Sequence, residues 1–184
     1  MKKLLAIIFV AALAGCAAPP PLNFSVPEVG VSKTKIDAEV KTVTVTLARP
    51  EEAKGEMPMG IESVTNFWKE SLQEAIDRMA IFKDDSANKV SIQVKILAFE
   101  TPGAGASMTS KSIARYEILN RSNGSIIFTQ DISAEGTVPW DHAFMGITRA
   151  RESINRAAQN NIKLFLQGLE TVDVNKPMFP VASK

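Results

Sequence analysis

The spacing of apolar residues switches between a period of two and a helical period along this chain, and the order of these periods constrains the fold most. The run Thr42-Val43-Thr44-Val45-Thr46-Leu47 alternates strictly and predicts a strand whose valines and Leu47 face inward. From Ile61 to Met79 the apolar spacing becomes helical. Three further alternating segments and a second helical segment complete the order strand, helix, three strands, helix.

The three later strands are separated by clear turn signals. The first contains Val90, Ile92, Val94 and Ile96, and it ends before Pro102-Gly103. The second contains Ala114, Tyr116 and Ile118, and Asn123-Gly124 predicts a hairpin that leads into Ile126, Phe128 and Ile132. Strands mixed with amphipathic helices predict an α+β fold. We expect a two-layer sandwich of order β-α-β-β-β-α, with two long helices on one face of a four-stranded mixed sheet and an open opposite face.

The second helix is predicted to begin near Asp141, a plausible N-cap, and to run to about Leu169. Glu152 and Arg156 are four residues apart on its outer side and can pair. Arg151 falls within the apolar stripe, where a structural role is favoured over a site. The predicted buried stripe consists of Ile147, Ile154, Ala158, Phe165 and Leu169.

The first sixteen residues have the organisation of an export signal. Lys2 and Lys3 precede an apolar segment over residues 4–12, which is too short to span a bilayer. Leu13-Ala14-Gly15-Cys16 then resembles the lipobox of bacterial lipoproteins, in which the cysteine thiol accepts a diacylglyceryl group. The alternative is an ordinary secretory peptide with an incidental cysteine. We expect a lipoprotein signal peptide at 1–15 and lipidation at Cys16.

Cleavage before Cys16 limits the classes of function. Loss of Lys2 and Lys3 changes the formal net charge from +1 to −1, and this unclustered balance argues against nucleic-acid binding. Cys16 is the only cysteine, so its acylation leaves no thiol for a disulfide or a metal. The residue at position 17 is Ala rather than Asp, which by resemblance to enterobacterial lipoproteins favours the periplasmic side of the outer membrane over the inner membrane.

The segments that flank the predicted domain differ from it in composition. Residues 16–41 contain a Pro-rich stretch and are predicted to form a tether, with the alternative that part of the segment packs along the domain. Residues 42–170 form the predicted α+β domain. Residues 171–184, with Pro177 and Pro180, are predicted to form a flexible tail.

The sequence offers no pattern for catalysis. His142 is the only histidine, and a surface position at a helix entry suits it better than a catalytic role. No cluster of residues has the spacing of a zinc site, and no serine lies in a nucleophile-elbow pattern. We therefore predict a non-enzymatic protein with no catalytic residue, metal or cofactor.

One group of apolar residues suggests a binding surface. Strand parity places Leu97, Phe99, Ile113 and Ile127 on the sheet face away from the helices. If they cluster there, they form a patch suited to a protein partner. The alternative is that the tether or the tail covers them.

The order of elements resembles that of the YajG-like outer-membrane lipoproteins, and it recurs in auxiliary lipoproteins of ABC transporters and in the barrel-plugging lipopolysaccharide-assembly lipoprotein. The local similarities are Val90-Ser91-Ile92-Gln93-Val94, the strand pair around Asn123-Gly124, and Ser133-Ala134-Glu135-Gly136. The resemblance covers roughly residues 42–170. It implies a non-enzymatic envelope protein, and Cys16 is the only functional residue that it carries over.

Two hypotheses for function follow. The first is a lipid-anchored periplasmic accessory that binds, or assists the assembly of, an envelope complex, attached to the membrane through acyl chains on Cys16. The second is a binder of a small or lipidic ligand between the sheet and the helices. An exposed apolar sheet face favours the first, and a large apolar cavity favours the second.

Overall fold

Two helices and four strands follow one another in the predicted order. The structure, a computed structural model, describes residues 20–58 and 60–180. The predicted signal peptide and Cys16 lie outside the described residues. The elements are β1 (Glu39–Leu47), α1 (Glu62–Met79), β2 (Lys89–Glu100), β3 (Met108–Asn120), β4 (Ile126–Val138) and α2 (Gly146–Leu169).

The four strands form one mixed sheet in the order β1-β2-β3-β4. β1 pairs parallel with β2 because α1 connects them, and the pairs β2–β3 and β3–β4 are antiparallel. The predicted α+β class, the order β-α-β-β-β-α and the mixed sheet are thereby confirmed.

Both helices pack on the same face of the sheet and enclose the core. The apolar face of α1 is buried as its spacing predicts, with Trp68 and Leu72 fully inaccessible. From α2, Ile162 and Phe165 reach the same layer. Phe165 stacks on Tyr116 of β3 with ring centroids 4.2 Å apart.

A hydrogen-bonded network runs through this core and joins both helices to the sheet. The Trp68 indole N–H donates to the Tyr116 hydroxyl (3.1 Å), which donates to Oδ1 of Asn161 (2.9 Å). The Asn161 amide donates in turn to the carbonyl of Ile132 on β4 (3.0 Å). Burial raises the pKa of Tyr116, so this hydroxyl stays neutral and serves as a structural link.

The N-terminal segment does not form the free tether that the sequence predicted. Phe24, Val26, Ile36 and Ala38 are buried and belong to the core. The ring of Phe24 contacts that of Trp68 at a centroid distance of 6.1 Å. The domain therefore starts well before residue 42. Burying these apolar side chains is more favourable than leaving them exposed to water in an extended tether. Residues 16–19 of the predicted tether lie outside the described residues.

The C-terminal segment also packs against the domain as far as it is described. The backbone groups of Phe179 exchange two hydrogen bonds with Ile126, and Met178 N donates to the carbonyl of Ile127. Val172 and Val174 pack against the core. The prediction of a flexible tail is therefore wrong for the described residues 171–180, and residues 181–184 lie outside the description.

The start of α2 differs from the sequence prediction in two respects. Met145 is the N-cap, and Asp141 lies earlier, in a single 3-10 turn formed by Trp140–His142. Ile147, predicted to be buried, is half exposed because the first turn of α2 projects beyond the sheet. The predicted ion pair between Glu152 and Arg156 is present at 2.8 Å.

Candidate functional site

The open face of the sheet carries polar and charged side chains instead of the predicted apolar patch. Its central row contains Lys95 on β2, Arg115 on β3 and Asp131 on β4, which lie directly opposite one another in the sheet register. Neighbouring positions carry threonine, glutamine and glutamate side chains. This face is polar and crossed by ion pairs.

Two carboxylates organise these ion pairs. Asp131 accepts hydrogen bonds from Nε of Arg115 (2.6 Å) and Nζ of Lys54 (2.6 Å), and Arg115 contributes most to lowering the pKa of Asp131 to about 2. Glu52 is bound by Arg49 and by Nζ of Lys95 (2.6 Å), and these hydrogen bonds lower the pKa of Glu52 to about 2. Both carboxylates stay ionised at neutral pH and fix the loop 48–58 against the sheet.

The Asp131 ion pairs predict an acid dependence of stability. A folded-state pKa of about 2 lies below the ordinary aspartate value of 3.8, so this stabilisation is complete above pH 4 and is lost as the pH falls towards 2. The free energy of unfolding of the wild-type protein should fall as the pH decreases from 4 to 2. In Asp131→Asn we expect this decrease to be smaller by about 1 kcal/mol. Urea unfolding at several pH values measures it. Asp84→Asn, on the charged turn after α1, is the matched control, and an equal effect of both variants would contradict the assignment.

The predicted apolar patch fails first at Phe99. This residue is only 2% exposed and packs in the core, with its ring 6.1 Å from that of Trp68. The pairing of β2 with β3 shifts between Ile96 and Ala98, so Leu97 is an inserted bulge residue. One extra residue reverses the alternation, which places Phe99 on the helix face.

The other three residues of the predicted patch do not form an exposed surface either. Leu97 is 1% exposed, and its carbonyl accepts a hydrogen bond from Lys54 N (2.8 Å). Ile127 is 3% exposed and belongs to the core, at the position where β4 carries its own bulge. Ile113 is partly buried on the open face beside Ser133. The expected apolar partner face is therefore absent from the described sheet.

The other residues singled out from the sequence do not come together as a catalytic centre. His142 lies exposed in the 3-10 turn. Arg151 lines a small surface cavity of about 180 Å³ together with Leu22 and Ile154. Within residues 20–58 and 60–180, no group of three or more His, Cys, Asp or Glu is placed to hold a metal ion. None of the helices in the described part has both the length and the apolar character to cross a membrane.

The outer edge of β4 is covered along much of its length. Phe179 pairs with its first residue, as described above. Farther along, the amide of Asn160 donates to the carbonyl of Glu135 (2.8 Å), and Nη1 of Arg156 donates to that of Thr137 (3.0 Å). The tail and α2 thus satisfy backbone groups that a bare edge would leave to solvent.

The outer edge of β1, by contrast, has no backbone hydrogen-bond partner among the described residues. Ala48 N donates a hydrogen bond to the carbonyl of Ile96 on β2. In a parallel pair every second residue bonds to the same neighbouring strand, so Thr46, Thr44 and Thr42 also direct their backbone groups towards β2. The N–H and C=O groups of Val43, Val45 and Leu47 therefore point away from β2. The sequence predicts this strand but not its position at the edge of the sheet, because the alternation of apolar residues does not determine the order of the strands.

A groove of about 360 Å³ runs beside this bare edge, between β1 and α1. Its floor includes Val43 and Thr44, and Lys69 and Gln73 of α1 form its wall. Lys69 makes no ion pair with any described residue. The groove therefore offers unpaired backbone groups next to a free positive charge.

The larger clefts lie on the surface and not between the sheet and the helices. One of about 910 Å³ is lined by charged residues at the end of α1, including Asp77 and Lys83. Another, of about 500 Å³, lies between residues 26–34 and the C-terminal half of α2. Aromatic and aliphatic side chains fill the described space between the sheet and the helices. This arrangement does not favour the ligand-binding hypothesis.

Comparison with known proteins identifies the fold. No family model and no curated protein matches this sequence. Protein XCC0632 from Xanthomonas campestris, of the family DUF330, is 9% identical, with 83% of this chain and 96% of that chain covered and a TM-score of 0.50. Protein CT253 from Chlamydia trachomatis is 11% identical (74% and 96% covered, TM-score 0.48). Lipoprotein GNA1162 from Neisseria meningitidis is 8% identical (72% and 94% covered, TM-score 0.39). At these identities the similarity to the Xanthomonas protein shows a shared fold.

Proposed function

We propose that this protein is a lipid-anchored, non-enzymatic accessory of the bacterial cell envelope, which binds an extended segment of an envelope protein by adding it as a strand to β1. Acyl chains on Cys16 attach it to the periplasmic side of the outer membrane. The single observation that carries the binding proposal is the difference between the two sheet edges, with β4 largely covered and β1 bare.

The chemistry of the β1 edge defines the kind of partner. Residues 42–47 hold no charge and no proline, so an extended chain can pair with the outward backbone groups of Val43, Val45 and Leu47. Lys69 lies beside the groove and favours an acidic side chain on the incoming strand, whereas Lys41 already pairs with Glu39. Main-chain pairing supplies affinity, and the charge of Lys69 favours one register of the incoming strand.

The anchor is tested by Cys16→Ser, exported with a cleavable secretory signal in place of residues 1–15. We expect the variant to leave the membrane fraction and to keep the wild-type melting temperature, because the thiol supplies the attachment and no part of the core. Flotation of membranes after a high-salt wash measures the first, and thermal unfolding the second. A variant that still floats with membranes would contradict the anchor.

Strand addition is tested in cells with a photo-crosslinking amino acid at position 44 of the full chain. We expect one discrete adduct with an envelope protein. Val45→Pro should abolish it, because proline removes an outward N–H while leaving the pairing with β2 intact. Lys69→Glu should weaken it, and Lys163→Glu on α2 is the matched control that should not.

Three outcomes would overturn the strand-addition proposal. An adduct that persists in Val45→Pro would show that the contact is not made by backbone pairing. An adduct with the mass of two copies of this chain would replace the envelope partner by self-association. No adduct from position 44 would place binding elsewhere. Circular dichroism of Val45→Pro and Lys69→Glu confirms that the fold is retained, and Lys69→Glu alone keeps the test valid if the proline variant unfolds.

A further inference from the structure

The connection between β4 and α2, together with the first turn of α2, presents four large apolar side chains to solvent within eight residues. Trp140 is 68% exposed, Phe144 is fully exposed, and Met145 and Ile147 are about half exposed. These four residues are called the apolar tip below. A cluster of this kind on a folded domain marks a contact surface.

The backbone of the apolar tip is held in place. Nη1 of Arg149 donates hydrogen bonds to the carbonyls of Ala143 (2.6 Å) and Phe144 (3.1 Å). His142 N donates to the carbonyl of Pro139, which closes the 3-10 turn. The side chains therefore project from an ordered support instead of folding back onto the domain.

The neighbouring loop at this end of the sheet carries no charge. It spans residues 101–107, with the sequence Thr-Pro-Gly-Ala-Gly-Ala-Ser, between the end of β2 and the start of β3. The loop ends at Met108, the first residue of β3. Met108 pairs with Val138, which lies two residues before Trp140 of the apolar tip. The methyl group of Met108 also lies beside Gly146 at the start of α2.

The opposite end of the sheet is rich in charge. The turn before β2, the hairpin between β3 and β4 and the segment after α2 all lie there. These segments carry Lys83, Asp84, Asp85, Arg121, Glu170, Asp173 and Lys176. The tip end also carries charge, in Asp141 and in the loop 48–58 that follows β1, so its uncharged surface consists of the apolar tip side chains and the loop 101–107.

The N-terminal segment leads from the core towards the apolar tip. Asn23 lies beside Asn155 and Gln159 of α2, through hydrogen bonds of 3.0 Å to each. Leu22 lies one turn earlier along α2, beside Arg151 and Ile154. From Asn23 towards the N-terminus, the chain therefore runs in the direction of the start of α2. Position 16 is six residues before Leu22 in the sequence, and six residues of fully extended chain span about 20 Å.

We propose that the apolar tip inserts into the interface of the lipid bilayer beside the acylated Cys16 and fixes the orientation of the domain on the membrane. This inference rests on the proposed lipid anchor. Tryptophan and phenylalanine favour the boundary between headgroups and acyl chains, and the uncharged loop 101–107 can approach the same surface. A tip docked in this way leaves the bare edge of β1, on the side of the sheet, free for its partner.

The two tryptophans of this chain provide the test, since Trp68 is buried and Trp140 lies in the apolar tip. The full lipidated chain is reconstituted into vesicles of phosphatidylethanolamine and phosphatidylglycerol whose acyl chains carry bromine. In the Trp68→Phe variant we expect the emission of Trp140 to shift to shorter wavelength and to be strongly quenched. In the Trp140→Phe variant the emission of Trp68 should be unaffected.

Further variants separate this inference from the anchor. The double variant Phe144→Ser and Ile147→Ser should reduce the quenching of Trp140, whereas Leu164→Ser, an exposed apolar position elsewhere on α2, should not. A chain that floats with the vesicles but whose Trp140 is unquenched overturns the inference and leaves the anchor intact. A chain that does not float overturns both. If Trp68→Phe fails to fold, the wild-type emission minus that of Trp140→Phe gives the same comparison.

Discussion

Trp68→Ala is expected to lower the free energy of unfolding by about 3–5 kcal/mol, the loss typical of a large buried aromatic side chain. The indole is fully inaccessible, and its ring contacts those of Phe24 and Phe99 at 6.1 Å each. Its N–H also holds the Tyr116 hydroxyl, so truncation leaves both a cavity and a weakened buried network.

Urea unfolding monitored by circular dichroism measures this effect. Trp140→Ala is the matched control, because it removes the same side chain from an exposed position and should change the stability by less than about 0.5 kcal/mol. Equal stabilities of the two variants would contradict the position of α1 against the sheet.

Gly136→Ala is expected to destabilise the fold by about 3 kcal/mol or more. This exceeds the usual cost of adding one methyl group, because the added Cβ atom would clash with backbone atoms, which cannot move aside as a side chain can. A Cβ atom at Gly136 would lie 2.3 Å from the nitrogen of Ala157 and 2.4 Å from the carbonyl oxygen of Ser153. The variant must therefore push α2 away from β4.

The same substitution at Gly103 is the control for this effect. Gly103 lies in the loop between β2 and β3, and a Cβ atom there meets nothing within 4 Å. Melting temperatures of the two variants compare the effects directly. A Gly136→Ala variant as stable as Gly103→Ala would show that α2 does not approach β4 so closely.

The periodicity of the sequence predicts the elements well because each strand and helix buries one face. The alternation of Thr42 to Leu47 and the helical spacing from Ile61 to Met79 both correspond to elements of the structure. The order of these elements was sufficient to predict the α+β class. The Asn123-Gly124 turn also closes the hairpin as predicted, with Gly124 at a positive φ of 76°.

The prediction of the binding face failed because it depended on strand parity across bulges. A single inserted residue at Leu97 reverses the side-chain direction for Phe99, and local composition carries no signal for such an insertion. Burial of Phe24 was missed although Leu22, Phe24 and Val26 alternate with polar residues, because this short alternation is bounded by Pro21 and Pro27 and the Pro-rich composition favoured a tether. The bare edge of β1 depends on strand order, which only the folded sheet determines.

The most direct test of the central claim is amide hydrogen exchange of β1, measured by nuclear magnetic resonance in the free protein and in its complex with the captured partner. In the free protein, we expect fast exchange at Val43, Val45 and Leu47, whose N–H groups face solvent, and slow exchange at Thr44 and Thr46. Strand addition predicts that Val43, Val45 and Leu47 become protected in the complex. Exchange at these three amides that stays as fast in the complex as in the free protein would contradict it.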